Sequence, residues 1–213
     1  MPDLVELLPL YVVLLFSACF HEVAHAWTAY MCGDDTARLS GRLTLNPIVH
    51  IDPIGTIIFP LLGLVMGARF LFGWAKPVPV NPSRFRSYRR DDILVSLSGI
   101  TANLLLALLA ASIFRTITTF SGLFMGSAVA GIILKLLYYL MTINVVLAVF
   151  NLVPIPPLDG SRVLFHFLPR RAAWQFQKLE RYGFILLILF LYVGIFRGIL
   201  GVPLKIFYVI AGI

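Results

Sequence analysis

Two histidines bracket a glutamate in His21-Glu22-Val23-Ala24-His25. On a helix, positions i and i+4 share a face, so both imidazoles can reach one metal ion, with the carboxylate of Glu22 beside it. Zinc suits this set, and the glutamate then takes a proton from water that the metal has acidified. A catalytic zinc usually has three protein ligands and one open position, so a third ligand has to come from elsewhere in the chain. The candidates are His50, Asp52, Asp159 and His166. Local chemistry favours Asp159, because it follows Pro154, Pro156 and Pro157 and precedes Gly160 at the end of an apolar run. Irregular backbone at membrane depth survives only against protein or water. His50 would then be a loop residue near the site and His166 an interfacial one. The bland alternative for the motif is a polar helix end that has reached the headgroups, which leaves the metal spacing unexplained.

The elements that position these residues belong in lipid. Of 213 residues, 60% are hydrophobic and 13% charged, and the mean hydropathy is +0.93. That charged fraction is about half that of a water-soluble domain. Apolar segments near 8–30, 93–114, 128–150 and 183–200 are long enough to cross a hydrocarbon core of about 30 Å. The expected fold is an all-α polytopic membrane protein with about four transmembrane helices. The segment 54–72 is a re-entrant or partial fifth hydrophobic element, since Gly55, Pro60, Gly63, Gly67 and Arg69 interrupt it. The stretch from Phe72 to Val80 is expected to be extended and membrane-associated, because its prolines block a helix. Residues 170–181 form a polar, partly amphipathic connection at the interface, and Pro203 is expected to bend or end the last span. One membrane-embedded domain covers 1–213, with a core at about 8–182 and a C-terminal helix and tail at about 183–213.

The formal charge of +7 does not indicate nucleic acid, because the basic residues lie between apolar runs, where they set membrane orientation. Cys19 and Cys32 show no CxxC spacing and read as unpaired packing residues. Ala24-His25-Ala26 has the form of a cleavage site, but Asp3 and Glu6 precede it without Lys or Arg, so the first helix is expected to stay. If 54–72 is re-entrant, all Lys and Arg except Arg115, Lys135, Arg197 and Lys205 fall on one side, which is 13 of 17. The basic side is cytoplasmic by the positive-inside rule. The expectation is a multi-pass protein of the cell membrane with an external N-terminus and a zinc site nearer the cytosol.

The chain resembles the site-2 protease family, intramembrane zinc metalloproteases of peptidase family M50. The resemblance rests on HEVAH, on SGITAN (98–103) and on NLVPIPPLDG (151–160), in that order. It implies one zinc ion per chain held by His21, His25 and Asp159, with Glu22 as general base and acid. It also implies Asn151 as a donor to substrate or to the developing oxyanion; its plainer reading is a cap where the helix unwinds. SGITAN departs from the usual pattern at Ile100, where proline is common, leaving Gly99 and Asn103 for close helix approach and an interhelical hydrogen bond. The form is compact, without the PDZ or CBS modules of some relatives. The implied activity is hydrolysis of peptide bonds in transmembrane protein substrates, with Trp74–Val80 clamping the opened peptide as an added strand. A membrane metal transporter and a catalytically idle scaffold for membrane helices are the rivals.

Overall fold

The computed structural model describes residues 4–65, 73–120 and 127–213. Its helices are α1 (Leu4–Met31), α2 (Thr36–Leu39), α3 (Phe59–Val65), α4 (Tyr88–Phe120), α5 (Ala128–Leu152), α6 (Asp159–Phe165), α7 (Arg170–Lys178), α8 (Gly183–Val193) and α9 (Ile195–Ala211). No strand occurs among the described residues. Among the described residues, three helices, α1, α4 and α5, are long and apolar enough to cross a membrane. A fourth crossing is available from the bent pair that ends in α8 and α9, at 71° to each other. The protein is an all-α polytopic membrane protein.

Packing follows the logic of a protein in lipid. Ala26, Ala29, Ala107, Ala110 and Ala111 are fully buried, while Leu105, Leu109 and Ile132 are exposed. Small residues inside let the helix backbones approach closely, and large apolar residues face outward to the acyl chains. Near the helix ends, Ala29, Cys32, Phe85 and Val95 join α1 to the start of α4. Ala110, Ala111, Met141 and Ala211 join α4, α5 and α9. At 33 residues, α4 is about 50 Å long, longer than a hydrocarbon core of about 30 Å.

The last span breaks at Gly194 and not at Pro203. Gly194 adopts φ 80°, which ends α8 and turns the chain into α9. Pro203 sits inside α9 instead. The expected amphipathic connection is present as α7, with Trp174 exposed and Lys178 Nζ 3.2 Å from its ring centroid. Cys19 and Cys32 are both free and buried.

The segment 54–72 opens with a π-helical turn, Pro53–Ile58, which runs into α3; residues 66–72 lie outside the described residues. Its flanks meet. The amide of Trp74 donates to Gly55 O (3.2 Å) and that of Lys76 to His50 O (2.8 Å), and the Thr56 hydroxyl donates to Trp74 O. A complete crossing would separate such flanks by about 30 Å, so the chain returns to the side it left. With that return, α1 and α5 run in the same direction: Ser17 meets Asn144 (2.8 Å), and further toward the C-terminal ends His21 and His25 meet Asp159, just beyond α5.

Candidate metal centre

His21 and His25 project from the same face of α1 and are buried to 8% and 7% exposure. Asp159 is the first residue of α6, after the irregular turn 153–158 that separates it from α5. The Nε2 atoms of the imidazoles lie 3.0 Å apart, and Asp159 Oδ2 is 3.1 Å from His21 Nε2 and 3.2 Å from His25 Nε2. Among the described residues, these are the side chains grouped so that they can hold a metal ion.

The donor chemistry asks for a cation. His25 Nδ1 donates to Val95 O at 2.7 Å, so the neutral ring presents the lone pair of Nε2 to the centre. That lone pair faces a carboxylate oxygen and a second imidazole nitrogen, an arrangement of acceptors against acceptors. Asp159 Oδ2 is accordingly buried with no hydrogen-bond donor among the described residues. The group is therefore a carboxylate that looks to positive charge at this point. A tetrahedral ion with bonds of about 2.0–2.1 Å needs donor atoms about 3.3 Å apart, close to the observed triangle. The residues fit zinc.

α4 makes room for the pair. A Cβ on Gly99 would lie 2.5 Å from His21 Cε1 and 2.6 Å from His25 Nε2, so only glycine lets α4 come this close. α6 does the same for the third donor: a Cβ on its Gly160 would lie 2.1 Å from Leu152 O at the end of α5. The Ser98 hydroxyl, 3.3 Å from His25 Nδ1, shares the Val95 carbonyl.

Glu22 is half-buried, and its Oε2 accepts the Val78 amide at 2.7 Å. The extended stretch 74–80 therefore runs beside the metal-binding face of α1. Asn151, at the end of α5, is half-buried and donates to Leu147 O one turn back (3.0 Å); it does not belong to the three-donor cluster.

The other candidates lie elsewhere. His50 is buried with Nε2 on Thr44 O at 2.9 Å. Asp52 caps the turn that begins at Pro53, accepting from Ile54 and Gly55. His166 is buried within the protein: its side chain is 4% exposed and Nε2 donates to Asp92 Oδ2 at 2.7 Å. The expected interhelical hydrogen bond from Asn103 is also absent. Its amide is fully buried without a partner among the described residues, and Asn144 bonds Ser17 instead. Three contributions went unread in the sequence: the carbonyl of Val95, the amide of Val78 and the ion-paired Asp92. The first two are backbone groups with no side-chain signature. The third had a faint one, since Arg162 and His166 follow Asp159 at helical spacing.

Comparison with known proteins agrees with this geometry. The family model described as Peptidase family M50 matches residues 9–193. YwhC of Bacillus subtilis, a candidate zinc metalloprotease, is 40% identical over 85% of this chain and 79% of its own length. Rip2 of Mycolicibacterium smegmatis and Rip2 of Mycobacterium tuberculosis, also candidate zinc metalloproteases, are 30% and 33% identical over 83% of the chain. Those two matches span 64% of each Rip2 protein. No solved structure matches the chain. With HEVAH and the PPLDG turn brought to one centre, and most of the chain inside the matched region, the chain belongs to peptidase family M50, the site-2 protease family of membrane metallopeptidases.

Proposed function

We propose that this chain is an intramembrane zinc metalloendopeptidase that hydrolyses peptide bonds of membrane-spanning proteins. The carrying observation is the convergence of His21 Nε2, His25 Nε2 and Asp159 Oδ2 within 3.0–3.2 Å of one another. These three residues hold one zinc ion, which supplies Lewis acidity toward the attacking water and the scissile carbonyl. Glu22, fixed through one oxygen by the Val78 amide, takes the proton from water and delivers it to the leaving nitrogen. Asn151 spends one amide proton on Leu147 O, and its second N–H is a donor for substrate or the developing oxyanion. The substrate enters laterally and unwinds, since the carbonyls of a helix are otherwise occupied. The exposed edge of 74–80 clamps it as an added strand. The chain acts as a single membrane-embedded unit with its zinc site toward the cytosol and its N-terminus outside, a reading supported by the basic residues that flank the centre.

Purified protein incubated with a library of single-span substrates, with and without a zinc chelator, tests this by mass spectrometry of the fragments. Cleavage abolished by chelator and restored by zinc is expected; cleavage indifferent to chelator, or zinc uptake into vesicles without cleavage, would overturn it. Glu22→Gln is expected to lower the rate by about 10²–10⁴-fold while zinc content stays at wild-type level.

A further inference from the structure

Beyond the three donors, which join α1 to α6, a second cluster joins α4 to α6. Asp92, near the start of α4, is 4% exposed. Its Oδ2 accepts from His166 Nε2 at 2.7 Å, and its Oδ1 is paired with Arg162. The Tyr88 ring packs edge-on against His166 with centroids 5.3 Å apart, closing the cluster on the solvent side.

The spacing ties this cluster to the metal centre. Arg162 and His166 follow Asp159 at i+3 and i+7, so one stripe of α6 and its C-terminal cap carries all three. On α4, Asp92, Val95 and Gly99 stand at i, i+3 and i+7. Val95 O accepts from His25, and Gly99 seats both imidazoles. Each interval of seven residues rises about 10.5 Å along its helix. The two stripes therefore match end to end, with the metal donors at one end and Asp92 at the other. α4 acts as a common ruler for the imidazole pair and for the carboxylate.

α6 has seven residues, too few to hold a helix by itself. Its position depends on what grips its two ends. The first turn rests on the end of α5 through Gly160. The last turn is held by Asp92.

We propose that the Asp92–His166 hydrogen bond, supported by Arg162, is a latch that sets Asp159 against the imidazole pair, making Asp92 and His166 positioning residues for the third metal ligand. This rests on the zinc reading above. Asp92 is buried with two donors, so loss of one partner leaves a desolvated carboxylate that must move or draw in water. α6 then shifts relative to α4, and Asp159 leaves the point where the imidazoles converge. A neutral His166 with its proton on Nε2 is sufficient, so the latch needs no charge on the ring.

The test is zinc affinity of the purified full chain by chelator competition, with the donor set read by zinc X-ray absorption. Asp92→Ala, which removes the acceptor altogether, is expected to lower affinity tenfold or more and to weaken the oxygen contribution while both nitrogen ligands remain. His166→Ala is expected to do the same. His166→Gln, whose amide N–H reaches about as far as Nε2–H, is expected to restore wild-type affinity. Unchanged affinity and donor set in Asp92→Ala would overturn the latch, as would equal loss in His166→Gln and His166→Ala. Failure of the wild-type protein to bind stoichiometric zinc would instead sink the zinc reading, so the two failures are distinguishable.

Discussion

At the scale of single residues, the metal centre is made as much by what is missing as by what is present. HEVAH supplies two imidazoles, but they can be buried only because Gly99 carries no side chain where a Cβ would lie 2.7 Å from His21 Nδ1. Gly99→Ala adds one methyl at that contact. Overpacking of this kind costs about 1–3 kcal/mol, and here the flexible part is the ligand pair itself. Zinc affinity is expected to fall about tenfold, with helix content by circular dichroism unchanged; undiminished affinity would show that the imidazoles accommodate a methyl. Asp159 is similarly dependent on its neighbour, since Gly160 alone lets the turn sit on the Leu152 carbonyl. The Asp-Gly pair is thus one functional unit, a ligand and the space that admits it.

At the scale of elements, α4 is the scaffold of the site although it contributes no metal ligand. Its Val95 carbonyl orients His25, its Gly99 admits both rings, and its Asp92 grips α6. α5 is set against α1 by the Asn144–Ser17 hydrogen bond, both residues fully buried. Within membranes such bonds contribute about 0.6 kcal/mol on average and up to about 1.7. A double-mutant cycle of Ser17→Ala and Asn144→Ala, read by thermal unfolding in detergent, is expected to give a coupling in that range. A coupling indistinguishable from zero would mean that apolar packing alone aligns the two helices. The extended stretch 74–80 has a comparable duty, because the Val78 amide fixes Glu22 and the Trp74 and Lys76 amides tie the stretch to Gly55 and His50.

At the scale of the whole molecule, one topological fact governs the rest: the chain leaves at residues 50–56 and is back at 74–76 on the same side. That return brings the ends of α1 and α5 to the same depth, which two imidazoles on one and a carboxylate after the other require. Cys19 and Cys32 are buried, so engineered cysteines report cleanly. In sealed, oriented vesicles an impermeant maleimide is expected to label Ser40→Cys and Lys76→Cys from one side and Thr119→Cys from the other. Ser40→Cys and Lys76→Cys labelled from opposite sides would show that 54–72 crosses completely.

The membrane character, the number of long apolar helices, the metal-binding motif and the PPLDG turn were all legible in the residue order. Hydropathy and helical spacing are local properties, and motifs are read from neighbours in the chain. The break at Gly194 and the partners of His166 were not, whereas a return of 54–72 was one of the two arrangements its composition and the charge distribution already favoured. Gly194 and Pro203 are both helix-breaking types, and only packing of α9 against α4 and α5 decides which one bends. The partner of His166, Asp92, lies 74 positions away in the chain. Long separations also divide donor from acceptor where backbone groups complete the site, 70 positions for His25 and Val95 and 56 for Glu22 and Val78. A carbonyl such as that of Val95 is chemically identical at every residue, so its role exists only once the helices have been brought together.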